Sequence, residues 1–179
     1  MSIAMSPPAA PRQHSTTMPQ TPEKAPRGQR EVKDVTYGDW KKLCFKPGGA
    51  KMLCRTSIAG TFATGQLAIR LDIIERQGDN VRRLQVFSPV GMYLQNPVKL
   101  TIDQGKSHRV PYTWCLTNVC IAGAVAPSTL IEAMMTGRVL RLEFVESNLL
   151  ALTTSLPLDG FAAIYTSNPT PTFEQDIDE

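Results

Sequence analysis

The sequence predicts a mainly β protein: a compact antiparallel β-sandwich or barrel-like domain with one short helix. Three observations predict it. Apolar residues recur with period two in several short runs, the spacing that turns one side of a strand toward a core. The runs lie close together and are divided by Gly, Asn, Asp and Pro turn signals. That pattern suits a sandwich or barrel better than a repeated βαβ plan. Only one segment combines helical spacing with helix-end signals.

Along the chain, residues 1–33 read as a disordered Pro-rich arm. Pro7, Pro8, Pro11, Pro19, Pro22 and Pro26 stand there among Ser, Thr, Gln and Arg, and almost nothing apolar is available to offset the entropy of ordering. The β domain is placed at 34–166, and a flexible acidic tail follows at 167–179 with Glu174, Asp176, Asp178 and Glu179. The clearest strand alternates Leu67, Ile69, Leu71 and Ile73 with Ala68, Arg70 and Asp72. Val98, Leu100 and Ile102 repeat the pattern before the turn Asp103-Gln104-Gly105, and Leu140, Leu142 and Phe144 repeat it against Arg141 and Glu143. Shorter strands are predicted at 35–45, 51–58, 81–87, 107–116, 119–125, 149–155 and 160–165. The helix runs from Pro127-Ser128-Thr129 to Gly137. Ser128 is a candidate cap, or Thr129 forms a capping box with Glu132. Leu130 with Met134 and Ile131 with Met135 give an apolar face meant for the core, and Gly137 fits the C′ position.

The chain has 179 residues, 42% hydrophobic and 20% charged, which fits one folded body with tails. Its net charge of +3 is too small and too scattered to argue for nucleic acid. No run approaches the ~20 apolar residues that span a bilayer. Peripheral association remains open, since Arg82-Arg83 could meet acidic lipid or protein, although a solvated strand end is the favoured reading. The first residues lack a basic start and a continuous apolar stretch, so no intact secretory signal is legible. The options are a cytoplasmic protein, a signal outside this stretch, or a nonclassical route.

Four cysteines, Cys44, Cys54, Cys115 and Cys120, permit two disulfides in three pairings. Local geometry favours Cys44–Cys54 around Lys46-Pro47-Gly48-Gly49, and Cys115–Cys120 around Leu116-Thr117-Asn118-Val119. Zinc held by four thiolates and buried free thiols are the rivals.

Chemistry-bearing motifs are sparse. His14 falls in the arm, and His108 between Ser107 and Arg109 reads as a surface strand residue. There is no Gly-x-Ser-x-Gly elbow, His-Glu-x-x-His site, phosphate loop or dinucleotide fingerprint, so no enzyme, cofactor or metal is expected. Asp72, Glu75, Asp79 and Asp103 are placed on solvated strand faces and turns. The candidate interaction residues are Tyr93, Arg109, Tyr112 and Trp114, because aromatics and arginine anchor interfaces. For Trp114, packing over a Cys115 disulfide is the stronger expectation.

Several ordered blocks carry a family resemblance. They are Gly38-Asp39-Trp40 leading to Cys44, Pro89-Val90-Gly91-Met92-Tyr93-Leu94, Val98 to Asp103, Val110-Pro111-Tyr112-Thr113-Trp114-Cys115 to Cys120, and Leu149 to Phe161. Over about residues 35–165 the chain resembles the invasion-associated locus B family. Trp40, Cys44, Cys54, Pro111, Tyr112, Cys115, Cys120, Gly160 and Phe161 match its characteristic positions. The resemblance implies two disulfides and export to the periplasm or outer membrane of Gram-negative alphaproteobacteria, in some pathogens with a link to host-cell entry. It carries over no enzymatic activity. The expected function is thus a noncatalytic cell-envelope protein that meets an unidentified bacterial envelope or host-surface protein, with host-cell attachment or invasion as the outcome. The alternatives are an endogenous envelope structural or stress-related binding protein, and an enzyme with an unrecognised site.

Overall fold

The computed structural model describes residues 22–168. His14, the first two-thirds of the expected arm and nearly all of the acidic tail lie outside them. Twelve strands, two α-helices and one 3-10 turn at Pro47–Gly49 are present among the described residues. The strands are β1 (Gly28–Glu31), β2 (Thr36–Tyr37), β3 (Lys41–Phe45), β4 (Leu53–Thr61), β5 (Leu67–Arg76), β6 (Arg82–Ser88), β7 (Val98–Ile102), β8 (Ser107–Val110), β9 (Tyr112–Cys115), β10 (Cys120–Ala126), β11 (Val139–Val145) and β12 (Leu150–Pro157). The helices are α1 (Ser128–Thr136), between β10 and β11, and α2 (Phe161–Thr166), after β12.

The strands form a sandwich of two sheets. One has five strands in the order β1-β12-β11-β7-β8. The other has seven, in the order β2-β4-β5-β6-β10-β9, with β3 also pairing to β4. All pairings are antiparallel except β1 with β12. Alternation explains the core. Ile58, Leu71, Val86 and Ala122 are register partners across four strands of the larger sheet and all point inward. Leu100, Leu142 and Leu156 line the facing sheet, fully buried. Trp40 is wedged at the sandwich end, its indole N–H donating to the Pro157 carbonyl at 3.0 Å and its ring meeting Phe161 edge-on at 4.7 Å.

Four sequence expectations need correction. Residues 160–165 are not a strand: Gly160, at φ 79°, turns the chain and α2 follows, with Phe161 and Tyr165 on its buried side. Their four-residue spacing is a helical signal. The arm is not wholly outside the fold, because Gly28–Glu31 pair in parallel with Leu150–Thr153. Every residue of β1 is exposed, so backbone hydrogen bonding holds it, and hydropathy carries no trace of that. The predicted 107–116 strand breaks at Pro111: β8 ends one sheet and β9 edges the other. Lastly, α1 starts at Pro127 without a side-chain cap.

Gly137 closes α1 for a reason of space, its φ being −77°. A Cβ there would lie 2.4 Å from Ile102 Cγ2 and 2.8 Å from the Ala133 carbonyl oxygen. Gly137→Ala should therefore destabilise the fold by about 1–3 kcal/mol through overpacking, and Leu142→Ala by about 2–5 kcal/mol through the cavity it leaves. Urea denaturation measures both. A neutral Gly137→Ala would show that α1 and β7 part easily.

Candidate interaction surface

In paired strands, register partners project from the same side of the sheet. Three rows therefore cross the outward face of the seven-stranded sheet. The first is Ala59, Arg70, Phe87, Ile121 and Trp114. The second is Lys41, Ser57, Asp72, Gln85 and Gly123. The third is Leu43, Arg55, Ile74, Arg83 and Val125. Large apolar side chains remain uncovered at its margins: Trp114 is 56% exposed, Val125 57% and Leu43 46%. The core packing expected of Trp114 is therefore not found. A register shift between Ile121 and Ala122 sets Tyr112 opposite Ala122, so Tyr112 turns inward while Trp114, opposite Ile121, faces out.

At the centre of this face, Asp72 is buried to 1% exposure, against the expectation of a solvated carboxylate. Arg70 Nε lies 3.2 Å from Asp72 Oδ1, and Arg55 Nε 4.0 Å from Oδ2. The guanidinium of Arg70 also stacks over Phe87, 3.7 Å from the ring centroid, within cation–π range. Burial pushes the Asp72 carboxyl up, and Arg70 and then Arg55 pull it partly back. These ion contacts lack hydrogen-bond alignment: Nε of both arginines and Asp72 Oδ1 have no hydrogen-bond partner. Guanidinium charge thus stays committed to the site while part of each arginine reaches solvent. Asp72 is the one carboxylate in the three rows, and Lys41, Arg55, Arg70 and Arg83 surround it.

Both disulfides form, Cys44–Cys54 and Cys115–Cys120, and no described cysteine is free. Each joins directly opposed residues of neighbouring antiparallel strands, where side chains are close enough to bridge. Each also fastens an edge strand, β3 to β4 and β9 to β10. Trp114 adjoins one bridge. The turn it closes, with the Leu116 N–H donating to the Val119 carbonyl, presents Leu116 to solvent.

The other candidates do not join Trp114 in one patch. The hydroxyl of Tyr112 lies 3.5 Å from Ser88 Oγ, and burial raises its pKa from 10.0 to about 12. Arg109, on β8 of the other sheet, pairs with Glu23 and borders a hollow of ≈ 590 Å³ with Leu94, Pro97 and Pro111. Tyr93 carries the Lys24 ammonium 5.3 Å from its ring centroid. The nearby Asn96 side chain binds both the N–H and the carbonyl of Lys24. Ser107 and His108 are consecutive strand residues and so project to opposite sides, which denies them a shared proton. Among the described residues, no group of three or more His, Cys, Asp or Glu side chains is placed to hold a metal. Elsewhere, Tyr165 donates to Glu75 Oε1 at 2.8 Å, and Arg82 Nε contacts the same oxygen at 3.3 Å. Burial first, then Glu75, raises Tyr165 to about 12.

Sequence reasoning missed Arg55, Arg70, Phe87 and Val125 on this face. Alternation within β5 and β6 marks Arg70, Asp72, Gln85 and Phe87 as co-facial within each strand. Only the register between strands makes them neighbours.

The family model described as Invasion associated locus B (IalB) protein matches residues 40–169. Among solved structures, the chain is similar to one described as the crystal structure of invasion associated protein b from Bartonella henselae. The TM-score is 0.64 and the sequence identity 22%, over 73% of this chain and 90% of that one. No curated protein matches the chain. The matched region starts after β1 and β2, and it contains both disulfides and all three rows.

The bridge at the β9 edge and the buried tyrosines are each open to measurement. Replacing Cys115 and Cys120 together by serine should cost about 2 kcal/mol from loop closure and accelerate amide exchange in β9 before the other strands. Unchanged exchange would mean that pairing alone holds this edge. Raised tyrosine pKa values stabilise the fold fully below the unfolded value of 10.0, and that stability is lost as pH rises toward about 12, since the unfolded chain releases its protons first. Urea midpoints should therefore fall across that window, and less steeply in Tyr112→Phe. Equal slopes would place Tyr112 in solvent.

Proposed function

The chain belongs to the invasion associated locus B family, and from that premise we propose that it is a noncatalytic envelope protein. It works by holding another protein against a rigid β scaffold, in the periplasm or at the outer membrane, and it contributes to host-cell attachment. Paired cysteines support a compartment outside the reducing cytoplasm. The observation that carries the binding role is Trp114. A large aromatic side chain stands more than half exposed on a disulfide-fastened edge strand, level with Phe87 and Arg70. Residues of this type anchor protein interfaces, and a rigid mount lowers the entropy lost on association. The similar protein from Bartonella henselae is described as invasion associated, which supports the attachment role here.

The test places a photo-crosslinking residue at Trp114, and in a second strain at Arg141 on the outward side of the five-stranded sheet. Crosslinks from position 114 alone to an envelope or host-surface protein are expected. Equal yields from both positions, or none from either, would remove this face from the function.

A further inference from the structure

The outward face of the seven-stranded sheet is apolar and cationic together. Its exposed apolar groups are Leu43, Val125 and Trp114. Its charged side chains are Lys41, Arg55, Arg70, Arg83 and the buried Asp72. Within these rows all the charge that reaches solvent is positive. At one end of the face a groove of ≈ 250 Å³ opens between Gln66-Leu67 and Asn118-Val119, with Arg70 and Phe87 among its lining. Arg70 is fixed there from two sides, stacked on Phe87 and drawn toward Asp72. A guanidinium held in place with N–H groups to spare suits a carboxylate, which it can meet with two parallel hydrogen bonds. The side-chain amides of Gln66 and Asn118 add donors on both walls.

Resting on the protein-binding role argued above, we infer that this face docks an acidic, partly apolar segment of a protein. A carboxylate of that segment enters the groove against Arg70, and an apolar side chain meets Trp114. Preorganisation favours a protein over an anionic bilayer. Trp114 sits on a disulfide-fastened strand and Arg70 is paired with the buried Asp72, and a fluid surface gains little from such fixed positions. The cations speed encounter with an acidic partner and reject basic ones.

The experiment selects a random peptide library on the immobilised full chain with both disulfides intact, then titrates the winners in solution. Removing Arg70 would strand Asp72, so the diagnostic changes are at exposed positions. Enriched peptides should carry Asp or Glu beside a large apolar residue. Asn118→Glu and Arg83→Glu should each weaken their binding about tenfold, Asn118→Lys should strengthen it, and rising salt should weaken it. Trp114→Ala should also weaken it, and Arg141→Glu on the other sheet should leave it unchanged. Enrichment of neutral or basic peptides, or binding indifferent to charge at residue 118, would overturn the acidic preference and leave the protein-binding role standing. Peptide binding sensitive to Arg141→Glu instead would overturn the choice of face. Failure to enrich any peptide would overturn the inference. Trp114-dependent binding to phosphatidylglycerol vesicles in that case would assign the face to a membrane, and the crosslinking at position 114 would decide the protein-binding role separately.

Discussion

The two inward faces can leave water only by meeting each other, and the rest of the structure follows from that constraint. Leu71, Ile73, Leu84 and Val86 in one sheet, and Leu100, Leu140, Leu142 and Leu156 in the other, are buried to 1% exposure or less. Apolar burial of this kind is the main favourable contribution to folding. A sandwich has open ends, however, and each needs closing. At one, Trp40 reaches across to the Pro157 carbonyl and meets Phe161 of α2 edge-on. The C-terminus of that short helix is in turn bound by Lys42, whose ammonium donates to the Tyr165 and Ser167 carbonyls. Cations are favourable at that end of a helix.

The larger sheet has a second weakness at its margins. Strands β3 and β9 each pair on one side only and bury little, with Cys44 the one fully buried residue between them. A covalent bond across each closely spaced pair replaces the packing that these edges lack. Closing loops of this size constrains the unfolded chain only modestly. The larger effect is local, because a cross-strand bridge fixes register where a slip would turn Trp114 inward and a core residue outward. The exposed edge is thus held partly by a bond that forms in an oxidising environment.

Much of this was legible in the sequence, and the omissions share a cause. Period-two patterning revealed β5, β7 and β11 because each alternates large apolar side chains with polar or smaller ones. It missed β1, whose four residues are all exposed and whose attachment to β12 is through the backbone. It misread α2, whose six residues are too few for alternation and helical spacing to separate. Local reasoning paired the cysteines as they are found, since both bridges span short turns. The interaction residues fared unevenly. Aromatic character singled out Tyr112 and Trp114 alike, yet a register shift in β9 sends one inward and the other out. No composition rule encodes that shift.

Asp72 orders the charges of the outward face. A carboxylate in the middle of a sheet, flanked by two arginines and short of hydrogen bonds, is a poor device for stability, because desolvation of the charges offsets much of their attraction. Its effect is positional. With Asp72 present, Arg70 lies along Phe87 and Arg55 leans toward the same centre. Without it, three arginines on one face would repel one another and spread into solvent. The buried charge therefore organises the exposed ones, and an arginine already oriented loses less freedom when it meets a partner than one that must be gathered from water.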